Sequence, residues 1–169
     1  MKNTNHAKPK VLWITIAVIV ILFAAIFTGV FMITTFLPAS FYDNPDLLTK
    51  FDGANKVRYR RSTQDDVITV TCDRMTGADI IWEYTADADI SRQMQYTFQV
   101  TKGKAKLVLT TPDNNVTTLV EQDSAAANDP ESAESDFEHT IDIALKKGKN
   151  QIKIVCAKGT SFSLLLEIQ

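Results

Sequence analysis

The sequence predicts an all-β protein: an antiparallel β-sandwich, of jelly-roll or immunoglobulin-like topology, behind a single N-terminal transmembrane helix. Three observations predict it. Val11 to Leu37 is an uncharged run of 27 residues, 17 of them Ile, Leu, Val or Phe. From Lys56 onward, apolar and polar residues alternate with a period of two, the mark of half-buried strands. Turn residues punctuate that alternation, and no helical pattern of useful length interrupts it.

The chain opens with a basic tail, residues 1–10, which carries Lys2, Lys8 and Lys10; no acid occurs before Asp43. The expected transmembrane helix, residues 11–37, would be roughly 40 Å long at 1.5 Å per residue, against a hydrocarbon core of about 30 Å. Positive residues stay on the cytoplasmic side, so the N-terminus is expected inside and the rest outside. Trp13 near one end, and Phe41 and Tyr42 past the other, suit the two interfaces. The run is about twice the length of a signal-peptide core, and Pro38-Ala39-Ser40 makes a poor cleavage site, so an uncleaved signal anchor is expected. Inside the span, Ala25 and Gly29 form a small-xxx-small pair, a candidate helix contact.

Residues 38–55 read as a stalk. Asn44 is suited to cap a short helix with Pro45 in its first turn, and Leu47, Leu48 and Phe51 would give that helix one apolar face to lay on the domain.

The expected sandwich occupies residues 56–169. Val57 and Tyr59 alternate with Arg58 and Arg60; Ile68, Val70 and Cys72 with threonines; Ile80, Trp82 and Tyr84 with Ile81 and Glu83. Met94 to Val100, Ala105 to Leu109, the weaker Val116 to Glu121, Phe137 to Leu145, Ile152 to Cys156 and Phe162 to Ile168 complete nine strands. Thr76-Gly77, Lys102-Gly103, Pro112-Asp113-Asn114, Lys147-Gly148 and Lys158-Gly159-Thr160 read as the turns between them. Asp123 to Asp136 holds five acids, Pro130 and no base, and reads as a surface loop.

Charge is unevenly spread. The first ten residues carry +3, whereas the part after the span carries 15 basic and 20 acidic residues, or −5. Such an acidic domain does not suit nucleic acid, which needs a basic surface. The two cysteines form no Cys-x-x-Cys and no cluster with histidine, so no metal or other cofactor is expected. No nucleophile elbow, zinc-protease motif or phosphate-cradling glycine loop occurs, so the domain is not expected to be an enzyme.

Individual residues have a functional and a plain structural reading. Cys72 and Cys156 both fall on apolar strand faces, so a disulfide between them and a pair of buried thiols stand open together. Arg58 and Arg60, with Lys56 and Arg61, form a basic edge that could bind an anionic polymer or lipid headgroups; guarding an edge strand is the commoner use. Trp82 and Tyr84 could stack on a sugar, yet their inward register favours the core. His139, the one histidine of the outer part, is expected inward near a sheet edge. Asp87, Asp89 and Ser91 could offer oxygens to calcium but lack an EF-hand order, and a solvated turn is the default.

These readings lead to one expectation and two alternatives. The expectation is a single-pass protein of the cell membrane whose C-terminal domain is an extracytoplasmic, non-catalytic binding module for another envelope or surface protein. The first alternative is a receptor for a glycan or other extracellular ligand. The second is a surface hydrolase, which would need Asp, Glu or Ser residues from separate loops to converge around His139 or a metal.

Overall fold

The computed structural model describes residue 16 and residues 18–26, 41–50, 52–124 and 137–169. The tail, most of the 11–37 span including Gly29, and residues 125–136 of the acidic loop lie outside them. The described residues fall into two units, one within residues 1–37 and one within 38–169, each taken by itself. In the first, residues 18–26, including Ala25, are helical. Ile19, Val20, Ile21, Leu22, Phe23 and Ile26 are all exposed there. Among the described residues no helix is long and apolar enough to cross a membrane.

The second unit is mostly antiparallel β-structure. It holds a short helix α1 (Pro45–Lys50) and eight strands: β1 (Gly53–Val57), β2 (Arg60–Gln64), β3 (Val67–Ala86), β4 (Ile90–Lys102), β5 (Lys104–Thr110), β6 (Val116–Asp123), β7 (His139–Leu145) and β8 (Gly148–Ile168). The all-β class expected from the alternation is present; the expected count of nine is corrected to eight. Two pairs of expected strands are each one strand. The first expected strand is in fact two, β1 and β2, divided at Arg58, whose φ of 50° lies in the left-handed region.

A straight strand of 20 residues would run about 65 Å, too far for one layer of a small domain. β3 and β8 therefore bend together. Their register shifts between Cys72 and Gly77, opposite Thr160 and Cys156. Gly77 makes the bend feasible: its φ is 109°, and a Cβ there would lie 2.2 Å from the Gly53 carbonyl oxygen. On the N-terminal side of the bend, β3 lies between β2 and the end of β8, which continues to β4 and β7. We call this layer I. Past the bend, β3 lies between β1 and the start of β8, which continues to β5 and β6. This is layer II. Inward side chains of both layers, among them Val70, Phe98 and Leu164 from the first and Leu107, Ile152 and Ile154 from the second, form one buried cluster.

A smaller cluster lies on the outer face of layer II. Tyr42 and Leu48 cover Ala78, Val108 and Val155 there. Asn44 caps α1, its side-chain oxygen accepting from the Asp46 amide at 3.0 Å. Lys153, outward on β8 and 1 % exposed, donates from Nζ to the Leu48 carbonyl at 2.7 Å and pairs with Asp52 at 2.5 Å. A buried ammonium needs such partners, and a carbonyl in the last helical turn is an unsatisfied acceptor that suits a cation. Tyr42 donates to Glu121 at 3.0 Å, and Lys104 and Lys106 stand over its ring. Of the segment read as a stalk, Tyr42, Leu48 and Asp52 thus lie against layer II, and β1 begins within it.

Candidate functional site

The outer face of layer I is built by the same alternation, with different residues. Val70 and Cys72 point inward, which sends Thr69, Thr71 and Asp73 outward on β3. Register then aligns side chains across four strands. Arg60 stands opposite Thr71, Thr71 opposite Ser163, and Ser163 opposite Gln99. The next row runs Ser62, Thr69, Leu165 and Thr97. Directly opposed side chains sit with Cβ atoms about 5 Å apart, so each row is a continuous strip.

Where the first row meets the bend of β3, the face is hollowed. One cavity of about 330 Å³ is lined by Thr71, Asp73, Thr101, Ser161 and Ser163, with Cys72 and Phe162 at its base. A second of about 320 Å³ is lined by Arg58, Arg60, Thr71 and Asp73. Thr71 and Asp73 belong to both, which makes them one groove. Hydrogen bonds hold one rim: the Ser161 hydroxyl donates to the Asp73 carbonyl, and the Thr101 hydroxyl donates to the Ser161 carbonyl at 3.4 Å. Arg58 reaches the Asp73 carboxylate at 3.0 Å. That pair is 81 % and 58 % exposed, so water screens it and it contributes little to stability. The Arg60 side chain has no counter-charge or hydrogen bond among the described residues.

The four cations of the basic edge therefore have four different surroundings. Lys56 pairs with Asp79 at 2.6 Å and stands over the Tyr59 ring. Tyr59 donates to the same Asp79 at 2.6 Å; burial, then that carboxylate, pushes its hydroxyl well above the usual tyrosine value. Arg61 crosses to the Ile80 and Ile81 carbonyls at 3.2 and 2.8 Å, next to a register shift of β3. Only Arg58 and Arg60 reach the groove.

Trp82 and Tyr84 are half-buried against the main core, their rings stacked at 5.7 Å and 14°. Arg92 lies over Tyr84 at 5.3 Å. Neither aromatic lines the groove. Cys72 and Cys156 are free, buried thiols on the two sides of the bend, opposite Phe162 and Gly77. The Cys72 thiol donates to the Val57 carbonyl at 3.4 Å. Burial, with Cys72 nearby, pushes the Cys156 thiol well above its ordinary value. His139 is exposed rather than inward, its ring tilted on Tyr96 at 5.3 Å; it is the first residue of β7, which pairs with β4 and is an edge among the described strands. Asp89 accepts from the Lys146 ammonium and the Lys147 amide, both at 2.8 Å, which holds its carboxyl below the usual range. Among the described residues no three His, Cys, Asp or Glu side chains are grouped to hold a metal ion.

Reasoning from the sequence found Arg58 and Arg60 but not Thr71, Asp73, Thr101, Ser161 or Ser163. Those residues carry no motif; their outward register was visible, but which strands lie side by side was not. No protein-family model matches the chain, and no curated protein sequence matches it either.

Proposed function

We propose that this chain is a single-pass membrane protein with its N-terminus inside, whose extracytoplasmic domain is a non-catalytic binding module for another envelope or surface protein. The observation that carries this reading is the contrast between the two outer faces. Layer II is covered by the chain's own residues 41–50, whereas layer I presents an open, grooved, hydroxyl-rich face. The anchor is supported by the uncharged 27-residue run and by the exposed apolar side chains of residues 18–26.

For the fold we propose a jelly-roll β-sandwich. Counting each half of β3 and β8 separately, layer I contains the first half of β3, the second half of β8, β4 and β7. Layer II contains the second half of β3, the first half of β8, β5 and β6. The chain thus changes layers repeatedly along its length, as a double Greek key does; β1 and β2 are added edges. This order favours a jelly roll over an immunoglobulin-like sandwich.

The test is capture of partners from native membranes in mild detergent by the full-length protein and by T71R/S163R, which fills the groove with two bulky cations. A stoichiometric protein partner is expected with the wild type and not with the variant, at unchanged thermal stability. Capture of the same partner by both would sink the assignment to layer I. The glycan-receptor alternative draws on the hydroxyl and amide side chains of this face, which match sugar hydroxyls; glycan-array binding lost in T71R/S163R would favour it.

A further inference from the structure

We infer that the row Arg60–Thr71–Ser163 is an oxyanion site, and that the group it takes is a phosphoryl group. The inference rests on the reading of the outer face of layer I as the binding surface, and it names the chemistry of the ligand. Asp73 is already engaged by Arg58, which leaves Arg60 as the cation in the groove without a counter-charge among the described residues. Its neighbours in register, Thr71 and Ser163, have hydroxyls that make no hydrogen bond among the described residues, unlike Ser161 and Thr101 on the same rim. Three donor side chains thus lie in one strip, at an open cavity, with no acceptor among the described residues.

Their geometry selects among anions. A guanidinium fork binds two oxygens side by side. A carboxylate gives the fork both of its oxygens, and their remaining lone pairs lie in the same plane. A phosphoryl group offers further oxygens. Thr71 and Ser163, with Cβ atoms about 5 Å apart, can both donate to a group seated between them. Elsewhere the chain after the span is acidic at −5, so the attraction is local to this strip. A guard on an edge strand requires charge, but not two unpaired hydroxyls in register with it.

Free phosphate and a phospholipid headgroup present the same chemistry, and two arms separate them. The full-length chain is placed in phosphatidylcholine discs and titrated with inorganic phosphate, following the Arg60 Nε–H and the Thr71 and Ser163 amides by NMR. A second sample uses discs containing phosphatidylglycerol and no added phosphate. Saturable shifts at these three residues are expected in the first arm, with affinity at least tenfold weaker in R60Q and about threefold weaker in T71V, and weaker as salt rises. The same shifts in the second arm assign the site to headgroups; their absence there assigns it to soluble phosphoryl ligands. Shifts that grow linearly and are matched by chloride at equal ionic strength overturn the site, as does equal phosphate affinity in R60Q. If phosphate fails to bind while T71R/S163R still abolishes partner capture, the phosphoryl site falls and the protein-binding reading stands. If both fail, the outer face of layer I is not the binding surface.

Discussion

The two outer faces of this domain are made by one rule and have opposite fates. In both layers, every second residue of a strand points away from the core. In layer II those residues are Ala78, Val108, Val155 and Lys153, and Tyr42, Leu48 and Asp52 of the same chain close over them. In layer I they are mainly Thr69, Thr71, Ser163 and Gln99, with Leu165 half-buried among them, and no described segment closes over them. Small apolar side chains on an outer face gain by being covered, and threonine, serine and glutamine do not. Composition at a handful of outward positions thus separates a surface the protein uses to hold itself together from one it leaves for something else.

The comparison breaks most directly on the covered side. Leu48→Ala removes the apolar side chain that seals layer II, and we expect a loss of about 3 kcal/mol. Urea denaturation measures it, and a loss under about 1 kcal/mol would mean that the cover is not part of the cooperative unit. Next comes the buried cation. Asp52→Asn leaves Lys153 with neutral acceptors and no counter-charge, and about 2 kcal/mol should be lost, less than for a fully buried pair because Asp52 is 44 % exposed. Adding Lys153→Met should recover most of that loss, since an apolar chain of similar length needs no counter-charge. A double variant no better than Asp52→Asn would show that the ammonium is not what Asp52 serves.

Tyr42→Phe deletes the hydrogen bond to Glu121 and should lose about 1 kcal/mol. The same contact has a pH signature. Lys104, and then Tyr42, hold the Glu121 carboxyl below its usual range. A carboxylate so lowered stabilises the folded state above its unfolded value of about 4.3, and that contribution is lost as pH falls through the lowered folded value. Lys104, raised by Glu121, contributes below its ordinary value of about 10.4 and is lost as pH rises through its raised one. The protection of residues 41–50 against hydrogen exchange, taken relative to the intrinsic rate at each pH, should therefore be greatest between those limits and fall first below about pH 4. Flat protection down to pH 2 would remove Glu121 from the closure.

The smallest effects sharpen the contrast. Thr71→Val and Arg60→Gln on the open face should each change stability by less than about 0.5 kcal/mol. Thr110→Val in layer II should do the reverse of the other covered-side changes. Its hydroxyl is buried without a partner among the described residues, so removing it should raise stability by up to about 1 kcal/mol. A large loss at Thr71 would mean that the open face is structural after all.

The alternation from Lys56 onward was sufficient, by itself, to determine the all-β class and most inward side chains, because period two is a local property of a pleated strand; it failed where β3 shifts register, which puts Ile81 rather than Ile80 in the core, and at Val57, which is exposed. Asn44 as a helix cap was legible for the same reason: a cap acts within three residues. Strand continuity was not. Thr76-Gly77 and Lys158-Gly159-Thr160 have the composition of turns, and only the pairing of β3 with β8 makes them a shared bend. His139 followed the inward register, yet it starts an edge strand and stays exposed. Lys153, between Ile152 and Ile154, has the pattern of an ordinary outward lysine. Its burial comes from a segment 105 residues earlier in the chain. The groove likewise unites Arg60, Thr71 and Ser163 from three strands. Each residue's direction was written in its own strand, but their meeting depends on which strands lie side by side, and only the packing of the whole chain decides that.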